Sequence, residues 1–450
     1  MPAVIGVSNA AAWTVSLAVL LAVSRLHSMV PGLTTIRFPF LVSIVGLVLL
    51  LSQTARWRPS DLRRHFIPRT IGLILLLAVG SVPFGIYPGA AFGFLQGAYI
   101  RTLLIAALVW GVARTPGGAV RLSRSLALGG IVACALALRA GRTDITGRLS
   151  GAYTYDSNDL ALITVVAIPL TIAWITDTTS RLRYVMITGL PVLMLTLVKT
   201  GSRGGFLGLA TVILGFGFLA TFRTKERVGR LARTMVIASM FALPFLPSSV
   251  WERLGTLVQS EDDYNVTASS GRLAIWKRGM SYALRYPVFG VGINNFPTAE
   301  GRISDLAKNR DPDKGLKWSA AHNSYVQVSA ELGLIAGVAF VLLTLRPILP
   351  LLLYDRRRPA GPAADPRLSH LAPFLGITMA AFSTSAFFLS FAYSDVLYYL
   401  LALAAAVLAS GPAVASALPP PREGVGRPAG TPHYPIGTPV TRYQPPKAAD

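Results

Sequence analysis

"VKTGSRGGFLGLA" (198–210) joins two strongly apolar runs through a seam that holds Lys199, Arg203, four glycines and a serine. The run on each side approaches the roughly 20 residues that a bilayer core requires. The stretch therefore reads as a turn between two membrane-spanning helices. Composition extends that reading to the whole chain: of 450 residues, 52% are hydrophobic and 14% charged, with a mean hydropathy of +0.54. Soluble domains carry about 25% charged residues, so the fold class is an all-α polytopic membrane protein.

Walking outward from the seam gives about twelve spans of roughly 20 residues, centred near residues 14, 44, 77, 106, 130, 167, 192, 213, 240, 340, 381 and 404. Residues 1–24 lack the basic start and cleavage site of a signal peptide and read as a first span that stays. The net charge of +22 sits mostly in short loops, as the positive-inside rule expects, and this argues against nucleic acid as a partner. The basic loops 56–69, 114–124, 180–183, 222–233 and 355–367 all fall on one side if both termini are cytoplasmic. The expected domains are spans one to nine over 1–247, a large outer loop over 248–322, the last three spans over 323–415, and a Pro/Gly-rich disordered cytoplasmic tail over 416–450.

The outer loop carries many aromatics, among them Trp251, Tyr264, Trp276, Tyr282 and Trp318. Within it, "SSGRLAIWKRGMSYALRYP" (269–287) reads as an amphipathic helix capped by Ser270 and ended by Pro287. Its stripe of Leu273, Trp276, Met280 and Leu284 suits a helix lying flat on the membrane surface.

Chemistry gathers on the same outer side. Arg203 starts a helix among Gly201, Gly204 and Gly205, which free the backbone for close approach of a ligand. A guanidinium forks onto phosphate oxygens, and the helix N-terminus adds partial positive charge. A diphosphate is the natural occupant, with Arg272 as a second fork; ordinary solvated charge is the alternative for Arg272. Lys199 reads as a snorkelling anchor. His322 stands where the outer loop re-enters the membrane, as a general base or as a helix-start residue bonded to a loop carbonyl. Glu331 lies about two turns into the next apolar helix, where a carboxylate pairs with a cation or serves catalysis. "DPD" (311–313), "GVG" (290–292) and the acids Asp262 and Asp263 carry weaker signals for metal or nucleotide, and no His/Cys spacing suits zinc. The lone Cys134 forms no intramolecular disulfide.

Four segments, taken in order, resemble the O-antigen ligase and polymerase superfamily of bacterial membrane glycosyltransferases. They are "SGAYTYDSNDLALI" (150–163) with Asn158, "TGSRGGFLGL" (200–209) with Ser202, "SGRLAIWKRGMSYALRYPVFGVGINNF" (270–296) with Trp276, and "HNSYVQVSAELGLIAG" (322–337) with Asn323. The resemblance implies a GT-C-like, metal- and cofactor-independent enzyme of the bacterial inner membrane with its site on the periplasmic face. Arg203 and Arg272 would hold the diphosphate of an undecaprenyl-diphosphate-linked glycan, and His322 would act on the acceptor hydroxyl. Lys199, Ser202, Asn158, Trp276, Asn323 and Glu331 would support them, and loop aromatics would stack on sugars. The acceptor is lipid A core in a ligase, or a second lipid-linked glycan in a polymerase, for which "RAGRTDITGR" (139–148) offers another basic cluster. A lipid-linked glycan flippase is the reading from another class.

Overall fold

The computed structural model describes residues 7–35, 38–51, 65–144, 147–152, 154–177, 180–223, 227–242, 255, 268, 271–308, 318–354 and 365–410. The expected cap Ser270, the acids Asp262 and Asp263, the 311–313 motif, Trp251, Tyr264 and the 416–450 tail lie outside the described residues, as do parts of the basic loops. All of the described elements lie within Met1–Gly411.

The described residues are helical, joined by loops and one isolated bridge, Thr143 to Leu149. In chain order they form α1 (Asn9–Ser24), α2 (Pro31–Thr35), α3 (Phe38–Leu51), α4 (Phe66–Phe84), α5 (Pro88–Phe94), α6 (Ile100–Ala113), α7 (Pro116–Ala140), α8 (Ser157–Ile175), α9 (Leu182–Thr200) and α10 (Arg203–Phe222). There follow α11 (Arg227–Ala242), α12 (Arg272–Arg285), α13 (Phe296–Arg302), α14 (Asp305–Lys308), α15 (Ser324–Leu332), α16 (Leu334–Leu345), α17 (Ile348–Leu352), α18 (Pro366–Ala386) and α19 (Asp395–Ala409). Seven helical stretches are long and apolar enough to cross a membrane: α4, α5 with α6, α7, α8, α9, α10, and α16 with α17. Shorter apolar helices α1, α3 and α19 accompany them. Each expected centre falls within a helix, but α11 and α18 belong to neither group. Both carry basic residues in their first turns, and α18 adds Ser369 and His370.

α8 and α19 form the middle of the bundle, with nearly every side chain buried. Around them, α4, α9 and α10 turn large apolar residues outward, including Leu76, Leu195 and Leu214. An outward apolar belt on helices of this length suits a lipid environment, where small residues set the packing. Gly130 of α7 leaves no room for a Cβ against Ala167 of α8, and Gly189 of α9 packs on Ile131 of α7.

Contacts sort the connections into two ends. At one, Arg121 donates to Asn9, Arg124 pairs with Asp177, and His370 meets the Ala173 carbonyl. At the other, Tyr155 donates to the Val23 carbonyl, Leu149 N–H to the Lys199 carbonyl, and His322 N–H to Ser390. The basic segments 114–124 and 365–367 thus share an end, and the candidate chemistry shares the opposite one.

The amphipathic helix forms as α12 but differs in detail from the sequence reading. Gly271 occupies the N-cap position, one residue after the expected Ser270. The buried face is Ile275, Gly279, Tyr282 and Ala283, while Leu273, Met280 and Leu284 are exposed. The protein thus leaves three of the four stripe residues uncovered, while Trp276 packs inward. Two close approaches explain why: a Cβ on Gly279 would strike Val326 of α15, and the Tyr282 hydroxyl must reach Glu300.

Candidate functional site

The Lys199–Arg203 turn is held by its neighbours. Gly201 takes a left-handed conformation (φ 53°) that ends α9. Ser202 then caps α10, its Oγ accepting from Gly205 N–H at 3.2 Å and donating to Asn158 Oδ1 at 2.9 Å. Asn158 Oδ1 also accepts from Arg148 Nη2 at 2.7 Å, while Arg148 Nε donates to the Thr200 carbonyl at 3.0 Å. Arg148 therefore braces the turn, which weakens the case for 139–148 as a second diphosphate cluster. Arg203 is half-buried at the first position of α10, and Lys199 is exposed in the last turn of α9.

The glycines beside Arg203 serve a different purpose from the one read in the sequence. A Cβ on Gly204 would sit 3.0 Å from Phe388 Cβ, and one on Gly205 would sit 2.7 Å from Ala161 Cβ. Gly208 is closed off by Ser385. They let α10 press against α8 and α18, so they set where Arg203 stands rather than clearing space for a ligand.

His322 sits just before α15 with φ 48°, a left-handed backbone that costs a non-glycine residue about 1–3 kcal/mol. Its N–H donates to Ser390 Oγ at 2.8 Å. The next residue, Asn323, is buried and caps α15, its side chain accepting from Tyr325 and Val326 N–H. Ser324 Oγ donates to the Leu389 carbonyl at 2.6 Å and accepts from Phe391 N–H at 2.9 Å. The strained backbone of His322 is thus fixed from both flanks.

Trp276 supplies the third restraint. Its Nε1–H donates to the Ala321 carbonyl at 3.0 Å, and its ring meets Phe387 edge-on at 5.2 Å. These contacts hold the residue next to His322 in place, in keeping with the supporting place expected of Trp276. Arg272, half-buried, precedes Trp276 by four residues and shares its helix face. The helix is anchored by a forked Arg278–Glu300 pair, 2.6 Å at its shortest, with Glu300 also accepting from the Tyr282 hydroxyl at 2.7 Å. Burial, then the Glu300 bond, pushes the Tyr282 phenol up. Burial works to lower the Arg278 pKa, but Glu300 outweighs it and the net shift is upward.

Glu331 departs most from expectation. α15 ends at Leu332, and Gly333 (φ 89°) breaks the chain before α16 begins, so Glu331 does not lie within the apolar span. Its carboxylate accepts from Asn294 N–H at 3.0 Å and Phe296 N–H at 3.1 Å. Backbone bonds join the same pieces: Val291 N–H to Ala330, Gly292 N–H to Glu331 and Leu334 N–H to Pro287. A Cβ on Gly290 would collide with the Glu331 backbone. Gly290 of the "GVG" motif therefore lets the 287–296 loop lie directly on the end of α15, where Glu331 pins it, while Gly292 gives room to Gly85 and Asn295.

The Phe387–Phe391 turn after α18 ties these parts together. Gly204 packs on Phe388, Trp276 on Phe387, and His322 and Ser324 bond to the backbone and side chain of 389–391. It brings the segments bearing Arg203, Arg272 and His322 to one place. Ser390 also lines a 290 Å³ cavity with Arg25, Tyr155, Asp159, Asn294 and Asp395. An adjoining cavity of 440 Å³ shares Arg25 and Asp395 and adds His27 and Arg101. Arg25 and Asp395 pair at 3.6 Å between them. Burial, aided by the nearby Arg25 charge, lowers the His27 pKa against a raising bond to the Leu21 carbonyl. Sequence reading missed this polar cleft, although Arg25 and Asp395 each stand at the edge of an apolar run. Among the described residues, no three His, Cys, Asp or Glu side chains gather to hold a metal.

Residues 189–341 match the family model described as O-antigen ligase. The match supports the likeness to the O-antigen ligase and polymerase superfamily. The match runs from α9 into α16 and contains Arg203, Arg272, Trp276, His322 and Glu331. It stops short of the 387–391 turn and begins after Asn158. No curated protein matches the chain.

Proposed function

We propose that the protein is a bacterial inner-membrane glycosyltransferase that moves a glycan from a polyprenyl diphosphate to an acceptor hydroxyl. What supports this reading is that the segments bearing Arg203, Arg272 and the strained His322 each pack on the 387–391 turn, through Gly204, Trp276 and the His322 N–H, in a chain whose residues 189–341 match the O-antigen ligase model. Arg203 and Arg272 hold the donor diphosphate and neutralise it as it leaves. His322 takes the proton from the acceptor hydroxyl, whose oxygen attacks the anomeric carbon. The new carbon–oxygen bond forms as the bond to diphosphate breaks, with inversion. The diphosphate is already a good leaving group, so the step asks for charge stabilisation more than for a general acid. The membrane is crossed about twelve times by spans of roughly 20 residues, both termini are cytoplasmic, and the site faces the periplasm.

A ligase, using lipid A core as acceptor, is the favoured form. A polymerase needs a second diphosphate site, and Arg148, from the basic cluster offered for it, is committed to Thr200 and Asn158. Chromosomal deletion followed by analysis of lipid-linked and surface glycans tests this. Long polymer stranded on the carrier lipid supports a ligase, and single repeats stranded there support a polymerase. Glycan trapped on the cytoplasmic leaflet instead means a flippase and refutes the transferase reading.

A further inference from the structure

A cavity of about 720 Å³ lies at the end of the bundle opposite the candidate site. Its walls come from the start of α7, the end of α8, the start of α9, Trp13 of α1 and the start of α18. Three guanidiniums line it, Arg121, Arg124 and Arg367, against one lining carboxylate, Asp177. Each is set by neighbours: Arg121 lies 4.6 Å over the Trp13 ring, Arg124 lies 4.6 Å over Trp174 and pairs with Asp177 at 2.6 Å, and Arg367 pairs with Asp365.

Two features of this lining suit an anionic ligand. The Arg124 Nε–H and the Trp174 Nε1–H are both buried with no hydrogen-bond partner among the described residues, although Trp174 is only 3% exposed. A buried donor left unpaired costs about 1–3 kcal/mol. The N-termini of α7 and α18 also meet at this cavity, close enough that a Cβ on Gly117 would sit 3.9 Å from Arg367 Nη1. Two helices of 25 and 21 residues thus direct the positive ends of their dipoles to the place where the donors are unpaired.

We propose that this cavity binds the phosphate group of a net-anionic ligand. Phosphate oxygens accept from guanidinium, indole and helix-terminal N–H together, which no single protein carboxylate in the cavity does. The volume far exceeds one phosphate. Leu128, Leu182 and the 64%-exposed Trp13 give the cavity an apolar, outward-facing flank, as an anionic phospholipid at a bilayer surface requires. A soluble phosphate shares the headgroup chemistry and lacks only the acyl chains.

The test uses the full chain purified in detergent, with retained ligand read by native mass spectrometry. Separate arms offer phosphatidylglycerol, net-neutral phosphatidylcholine and inorganic phosphate to the wild type, Arg121→Gln and Trp174→Phe. Neither variant breaks the Arg124–Asp177 pair, and a thermal melt checks that each folds. Wild-type preference for phosphatidylglycerol, falling about tenfold in Arg121→Gln, supports a phosphate site filled from the bilayer. Retention of inorganic phosphate, lost in the same variants, supports the site with a soluble source. Equal retention of the two lipids together with no phosphate binding, or binding that neither variant weakens, overturns the proposal.

Discussion

Replacing Glu331 by Gln separates a carboxylate that holds a loop from one that acts on substrate. In the native arrangement its two oxygens accept from Asn294 and Phe296 N–H at 3.0 and 3.1 Å, in a fully buried setting. Glutamine keeps one acceptor oxygen and turns an NH2 group toward the other amide. One buried N–H is then left facing a donor, at about 1–3 kcal/mol, and the surviving bond loses its charge assistance, at about 1 kcal/mol. A total of about 2–4 kcal/mol corresponds to a rise of roughly 30- to 1000-fold in the open population of the 287–296 loop. Hydrogen exchange followed by mass spectrometry on peptides spanning 287–296 reads that change directly. The expected result is faster exchange there, with exchange in α8 and α19 unchanged. Transfer activity should fall in step with loop opening and recover partly at lower temperature. Unchanged exchange together with abolished transfer refutes the reasoning and assigns Glu331 to the chemistry.

Trp276→Phe keeps a ring against Phe387 but removes the Nε1–H bond to the Ala321 carbonyl. It should destabilise the protein by about 1 kcal/mol in thermal unfolding while lowering the transfer rate several-fold, because Ala321 leads directly into His322. Asn158→Ala strips the acceptor from both Ser202 and Arg148, and the unfolding temperature should drop by several degrees for about 2–4 kcal/mol. Lys199→Ala removes an exposed side chain and should leave melting temperature and transfer close to wild type.

The helical fold was legible because hydropathy acts locally: runs such as 182–200 and 203–222 declare themselves by length alone. The boundary at Gly333 was not legible. "AELGLIAG" reads as continuous apolar helix, and only the approach of Pro287 and Val288 shows why glycine breaks it there. The apolar stripe of α12 was legible, but not that Trp276 leaves it to bond the Ala321 carbonyl and pack on Phe387, because periodicity finds an apolar face without saying what covers it. Arg203, Arg272 and His322 stood out as individual residues by type and position. What brings their segments together, the "FFLSF" turn at 387–391, looks in sequence like the end of a span. Its role rests on contacts between residues 65 to 184 positions apart, such as Ser324 with Leu389 and Gly204 with Phe388, and no local pattern encodes those.

The central claim is that His322 and Arg203 belong to one transfer site. It is tested most directly by glycan transfer from a polyprenyl-diphosphate donor to acceptor in proteoliposomes, comparing wild type with His322→Ala and Arg203→Ala at matched insertion. The account predicts transfer by the wild type in the presence of EDTA. It predicts no transfer by His322→Ala with donor binding retained, and loss of both binding and transfer in Arg203→Ala. Wild-type transfer by either variant contradicts it.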